Sequence, residues 1–211
     1  HAKWFADLEI ANDPKIIVGA DLNYPPFEFI DENGNPAGFN YDLMVAVASA
    51  TGMRLEFKPD LWTKTVDKLE HGRIDMIQGM FYSPDRAARF SFSAPTIVSH
   101  CVAVVRKNII EPPHRLEDLA RLKLVVEEND IMHDFVRQKN LASNTIAVVS
   151  QEAALLEVVA GRRDCALVSR MAAAWLIRKN SWTSLEMAKD PLLSPKYCFA
   201  TRQNRRGLLA K

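Results

Sequence analysis

The chain is 211 residues long, and 27 Lys and Arg against 26 Asp and Glu leave a formal charge of +1, so no net field favours nucleic acid or an anionic membrane as a partner. With 48% hydrophobic and 25% charged residues the composition is that of a compactly folding chain, which excludes disorder, coiled coil and collagen-like repetition. The length suits one large domain or two smaller lobes, each with its own core.

His1-Ala2-Lys3 carries neither a signal-peptide pattern nor an initiator Met, and reads as the start of an excised piece. Ile16 to Ala20 is a short β-branched run, a predicted strand, broken by the extended Tyr24-Pro25-Pro26-Phe27. Phe27 to Ile30 followed by Asp31-Glu32-Asn33-Gly34-Asn35 predicts a small hairpin, because Asn-Gly supplies positive φ cheaply. Leu43, Met44, Val47 and Ala48 recur at helical spacing up to a stop at Gly52. Arg54 to Phe57 reads as an edge strand, and Trp62, Val66 and Leu69 mark a second helix. This alternation is the signature of an α/β fold.

A near-repeat organises the rest. Leu69-Glu70-His71-Gly72-Arg73-Ile74-Asp75-Met76-Ile77 matches Val158-Val159-Ala160-Gly161-Arg162-Arg163-Asp164-Cys165-Ala166: an apolar helix end, a Gly cap, a basic residue, Asp, then a buried strand. Gly-basic-x-Asp is also a common helix-to-strand turn. Duplication is favoured by Lys123 to Val126, which opens a second unit as Ile16 to Ala20 opens the first. Two α/β lobes follow, with the cleft between them as the expected ligand site. Ser99 to Arg106 and Lys196 to Thr201 are strand-like runs placed to cross between the lobes as a two-strand hinge. The expected division is residues 1–101 plus 201–211 for lobe one and 102–200 for lobe two. Cys101, Cys165 and Cys198 are too scattered for a metal knuckle or redox pair, and Cys101 and Cys198 are expected to approach each other as free thiols on the crossing strands. No apolar run approaches the roughly 18 residues of a membrane span.

Tyr24-Pro25-Pro26-Phe27, Gly38-Phe39-Asn40-Tyr41-Asp42-Leu43, Gly72-Arg73-Ile74-Asp75, Ser83-Pro84-Asp85-Arg86 and Phe92-Ser93-Ala94-Pro95 resemble, in order and spacing, the type II periplasmic (extracellular) solute-binding proteins of the amino-acid-binding sort, family 3. Residues 79–83, 95–100, 130–134 and 196–199 look like the members fused to histidine kinases and diguanylate cyclases. The resemblance implies a two-lobed Venus-flytrap fold on the periplasmic or extracellular side of the cytoplasmic membrane, closing on a small molecule. It implies a membrane-anchored parent protein, compatible with a homodimer, and no cofactor. Family members continue with a further helix on lobe one, of which Leu208 and Leu209 look like the beginning.

Arg86 is the leading site candidate. Ser83, Pro84 and Asp85 read as N-cap, N1 and N2, which puts Arg86 in the first helical turn, where a guanidinium beside free N–H groups suits a carboxylate. The matching arginine of the family holds the ligand carboxylate. Tyr24 matches the aromatic that packs on the ligand, and Trp62, Phe81 and Tyr82 are further candidate walls. Gly79 and Phe81 stand where relatives carry small hydroxyl residues, and Ser169 stands where amino-acid binders carry the aspartate for the α-ammonium. In the acidic loop Glu127-Glu128-Asn129-Asp130, Asp130 either caps its own helix or faces the cleft and favours a cation, and Asp130 or Glu128 is the candidate replacement for the missing aspartate. Ser150 and Gln151 are further polar candidates. Asp130, His133 and Asp134 share a helical face that suits zinc, but His133 at a helix surface needs no metal, and no metal site is expected. The expected function is a sensor domain for a small carboxylate, with a transport binding protein as the alternative. A dehydratase using Glu28, His133 and Asp130 is the remote third reading, no base dyad standing out by spacing.

Overall fold

The computed structural model describes residues 15–108, 110–113 and 115–210, so the start at His1 lies outside the described residues. Lobe one runs β1 (Ile16–Asp21), β2 (Asn23–Tyr24), β3 (Glu28–Ile30), β4 (Pro36–Ala37), α1 (Phe39–Thr51), β5 (Leu55–Asp60), α2 (Trp62–Glu70), β6 (Met76–Phe81), α3 (Pro84–Ala87), β7 (Phe90–Phe92) and β8 (Ile97–Val98). Lobe two runs β9 (Cys101–Arg106), α4 (Leu116–Leu119), β10 (Leu124–Glu127), α5 (Ile131–Gln138), β11 (Thr145–Val148), α6 (Gln151–Val159), β12 (Cys165–Ser169), α7 (Arg170–Lys179) and β13 (Leu185–Met187). The chain then returns through β14 (Lys196–Arg202).

The lobe-one sheet has the order β5-β1-β6-β14-β7, with β8 also on β14, and the lobe-two sheet the order β11-β10-β12-β9-β13. β1 in lobe one and β10 in lobe two each sit between two parallel neighbours, β5 and β6 around β1, and β11 and β12 around β10. The predicted hairpin joins β3 to β4, and β2 completes a small three-stranded sheet beside the cleft.

The near-repeat is structural as well as sequential. Gly72 (φ 71°) and Gly161 (φ 74°) both take the left-handed conformation that a side chain disfavours. The aspartate that follows does the same work twice: Asp75 accepts from the Ile17 N–H at 2.9 Å and Asp164 from the Lys123 N–H at 2.8 Å. Each returns its own N–H to the carbonyl of that residue. The aspartate thus ties the end of the turn to the beginning of β1 in lobe one and of β10 in lobe two. A guanidinium lies over each turn, Arg202 against Gly72 and Arg106 against Gly161, each the last residue of its strand, β14 and β9.

The two crossing segments do run side by side. Val98 pairs with Lys196, Cys101 bridges to Leu193, and the Ser99 N–H donates to the Pro195 carbonyl. Two expectations are corrected here. The return crossing lies before residue 196 rather than at 200, because the apolar run Lys196 to Arg202 is buried as an interior strand of lobe one, between β6 and β7. The polar stretch ahead of it makes the passage. Cys101 and Cys198 are not opposite one another: Cys101 faces Leu193, whereas Cys198 lies five residues further on, paired with Met80. All three cysteines are free and buried. Leu208 and Leu209 lie in a 3-10 helix, Gln203–Ala210, and pack on the lobe-one cluster that includes Met44.

Candidate interlobe ligand site

Strand ends place the site. β1 and β10 occupy equivalent positions in the two lobes, and their last residues, Asp21 and Glu127, meet in the cleft together with Glu28 of β3 and Asp130 at the head of α5. Tyr24, Trp62, Gly79, Phe81 and Tyr197 complete the wall. The space between them is about 20 Å³, room for one water.

Gly79 is required by close approach: a Cβ there would sit 2.3 Å from the Tyr197 hydroxyl and 2.4 Å from the Asn40 amide. Phe81 and Tyr197 pack with centroids 4.7 Å apart, and Tyr24 stacks on Phe27 at 5.4 Å. Glu28 is held from two sides, accepting from the Asp21 N–H at 2.9 Å and from the Asn40 amide at 3.0 Å.

The site is acidic and buried. Burial pushes the Glu28 carboxyl up to about 8, the two hydrogen bonds opposing the rise only in part. Asp21 and Glu127 are both raised, first by burial; they contact each other, and each also lies in the field of Asp130. Asp130 is raised by burial, against the opposing pull of Arg86. Two polar atoms in this wall have no hydrogen-bond partner, Glu127 Oε1 and the Tyr24 hydroxyl.

Several candidates are brought together as expected, namely Tyr24, Trp62, Gly79, Phe81 and Asp130. Asp130 faces the cavity and makes no side-chain cap bond; its carboxylate is reached by the Gln151 amide at 3.4 Å. Others lie elsewhere. Arg86 is 6% exposed, but its guanidinium is already engaged: Nε donates to Asp134 at 3.0 Å, Nη2 to the Asn129 carbonyl at 2.8 Å and Nη1 to the Phe81 carbonyl at 3.4 Å. It lines an outer groove with Asp134 and Arg137, and not the central cavity. Asn129 contributes its carbonyl, which also accepts from Trp62 Nε1 at 2.8 Å. Ser169 is behind the wall, its N–H bound to Gln151 and its hydroxyl 3.3 Å from that of Ser99. Ser150 caps α6, Glu128 is exposed, and Tyr82 packs edge-on against Phe92 near the surface. Of the groups considered for dehydration chemistry, Glu28 and Asp130 line the cavity, whereas His133 is outside it, accepting from the Asn129 N–H at 3.0 Å. No cluster of three or more His, Cys, Asp and Glu fit to hold a metal occurs among the described residues.

Asp21 was not singled out by the sequence analysis. The signal that points to it is the repeat itself, since Asp21 ends β1 as Glu127 ends β10.

The sequence profile of the bacterial extracellular solute-binding proteins, family 3, matches residues 16–203. The chain belongs to this family. Among its relatives, the L-cystine-binding protein TcyJ of Escherichia coli (strain K12) is 28% identical over 186 residues, covering 86% of this chain and 70% of that protein. Among solved structures, a histidine kinase sensor domain with similarity to periplasmic binding proteins superposes with a TM-score of 0.90 at 33% identity, covering 93% of this chain and 86% of that one. The arginine-bound form of truncated ArgBP from T. maritima gives a TM-score of 0.84 at 29% identity, covering 93% of this chain and 92% of that one. The family fold places this solute-binding protein among extracytoplasmic binding domains, and no helix among the described residues is long and apolar enough to cross a membrane.

Proposed function

We propose that this family 3 protein is the ligand-sensing domain of a transmembrane signalling receptor of the histidine kinase type, closing on a small solute of the amino-acid class held between its lobes. The observation that supports the binding reading is the cavity at the lobe junction, on which Asp21, Tyr24 and Glu28 of lobe one and Glu127 and Asp130 of lobe two converge. The closed space is smaller than an amino acid, so a ligand enters only when the lobes rotate apart about the paired crossing segments. Contacts made from both lobes at once favour the closed form, and this difference in affinity is what allows a ligand to shift the equilibrium. The likeness to a histidine kinase sensor domain supports the signalling role.

A thermal-shift screen over amino acids, amines, organic acids and sugars tests binding, and silence across all four classes removes the reading. The full-length gene product in membrane vesicles tests the role. A kinase output that changes when the cleft ligand is added supports the sensor. An unchanged output, with solute uptake by a permease that depends on this chain, supports the second reading, a transport binding protein, which the likeness to TcyJ favours.

A further inference from the structure

How the lobes close is constrained by the carboxyls that face one another across their junction, an inference that rests on the lobe rotation in the reading above. Asp21 and Glu28 come from lobe one, Glu127 and Asp130 from lobe two, and the four converge on a space with room for one water. All four residues are buried, from 1% to 5% exposed. The two strand-end carboxyls, Asp21 and Glu127, hydrogen-bond to each other from opposite lobes. A carboxylate only accepts, so two ionised groups cannot make that bond, and one of the pair has to carry a proton.

The groups packed around this pair are carboxyls, amides and phenols. Asp21 Oδ1 accepts from the Asn23 N–H at 2.8 Å, and Asp21 faces Glu28 of β3, whose own oxygens are taken by the Asp21 N–H and the Asn40 amide of α1. Glu127 faces Asp130 of α5 and the Gln151 amide of α6. Tyr24 of β2 and Tyr197 of β14 stay neutral, burial holding both phenols well above their ordinary value, and the Cys101 thiol of β9 is raised in the same way. The guanidinium of Arg86, on α3, acts on Asp130, which also accepts from the Ile131 and Met132 N–H groups and lies in the field of Asp134. Asp130 therefore has partners that stabilise its charge, whereas the contact between Asp21 and Glu127 depends on a proton. With the lobes apart, each strand end faces water on its own lobe, where an ordinary carboxyl is ionised at neutral pH.

We propose that Asp21 and Glu127 hold one proton between them across the closed cleft, so that closing the ligand-free lobes takes up a proton from solvent and acidity acts as a closing signal beside the solute. The closed form binds this proton more tightly than the open one, since burial and the neighbouring carboxyls raise both groups. Its contribution to closure is fully present below the ordinary carboxylate range and is lost as pH rises through the raised value, about 6 for Asp21. For one proton, the closing constant then falls about tenfold with each further pH unit. Opening about the paired crossing segments returns both carboxylates to water. A sensing domain built in this way reads the acidity of its surroundings as well as a solute.

Small-angle X-ray scattering on the chain, freed of solute by dialysis and taken from pH 5 to pH 8.5, tests the linkage, with circular dichroism alongside to show that the fold is intact. The expected result is a compact form at pH 5 whose radius of gyration grows as pH rises through neutrality. Infrared spectra over the same range should lose a protonated-carboxyl band together with the expansion. Glu127→Gln and Asp21→Asn each put a neutral amide donor where the shared proton stood, so each variant should stay compact to pH 8.5. If one variant fails to fold, the other decides. A radius that stays constant in the unaltered chain overturns the proposal, as does an expansion with no loss of the carboxyl band, or one that the folded variants keep at the same midpoint. Such a result leaves the ligand-binding reading in place, because the thermal-shift screen tests that separately.

Discussion

In lobe two, β9, β10 and β12 are buried along almost their whole length, and helices cover both faces of the sheet. In lobe one the equivalent sheet is completed by a strand from the far end of the chain, and its core is divided between two smaller clusters. Beside one of these an apolar groove of about 230 Å³ stays open, lined by residues that include Met44, Met53, Phe199, Leu208 and Leu209. The same turn, the same aspartate tie and the same arginine lid are therefore set in two differently packed bodies. A common plan positions the strand ends that make the cleft, while packing decides how firmly each lobe holds its half.

The sharpest way to break this comparison is to cut the two cores. Leu155 in α6 is fully buried against β10 and its neighbours, so Leu155→Ala costs about 3–5 kcal/mol, the range for a leucine in a core that cannot collapse. Met44→Ala, beside the open groove, costs about 2–3 kcal/mol, because neighbours have room to relax. Denaturant titration of both variants checks the order, and equal losses would show the lobes to be packed alike.

The next effect separates the cleft from both cores. Glu28 has a folded pKa of about 8 against an ordinary value of 4.5. The folded state therefore binds this proton more tightly than the unfolded chain, so its contribution is fully present below pH 4.5 and is lost as pH rises through 8. The melting temperature of the ligand-free protein should fall across that window, and Glu28→Gln should flatten the fall. A wild-type curve that rises from pH 5 to 8 would contradict the buried, uncharged state of Glu28.

Smaller effects ask whether the repeated parts are energetically equivalent. Asp75→Ala and Asp164→Ala each remove a charge-assisted bond to the first strand of a lobe and should cost about 1–3 kcal/mol. The Asp75 variant should lose slightly more, since Asp75 also pairs with Arg205 at 2.9 Å. Chemical denaturation of the pair measures this directly. Smallest are the caps: Ser83→Ala and Ser150→Ala each remove an N-cap bond, to Arg86 and Ala153, worth about 1 kcal/mol.

Much of this organisation was legible in the chain. Gly52, Gly72 and Gly161 mark helix ends because only a residue without Cβ takes positive φ at no cost, a local requirement written in one letter. The repeat of apolar helix end, Gly, basic residue and Asp announced two lobes, because each copy must tie its turn to its own first strand. The apolar runs announced strands but not their partners. Lys196 to Arg202 reads equally well as a hinge or as an interior strand, and only the sheet into which it inserts decides between them.

The site divides along the same line. Tyr24, Trp62, Gly79, Phe81 and Asp130, singled out in the sequence by position and by family resemblance, all line the cavity. The sequence did not reveal that Arg86 is taken up by Asp134, 48 residues away and in the other lobe, nor that Asp21 meets Glu127. Those facts depend on how two lobes rotate together. A side chain's residue type determines which charge it can carry, whereas the partner it meets across a closing cleft, and so the charge left over for a ligand, is determined only by the tertiary structure.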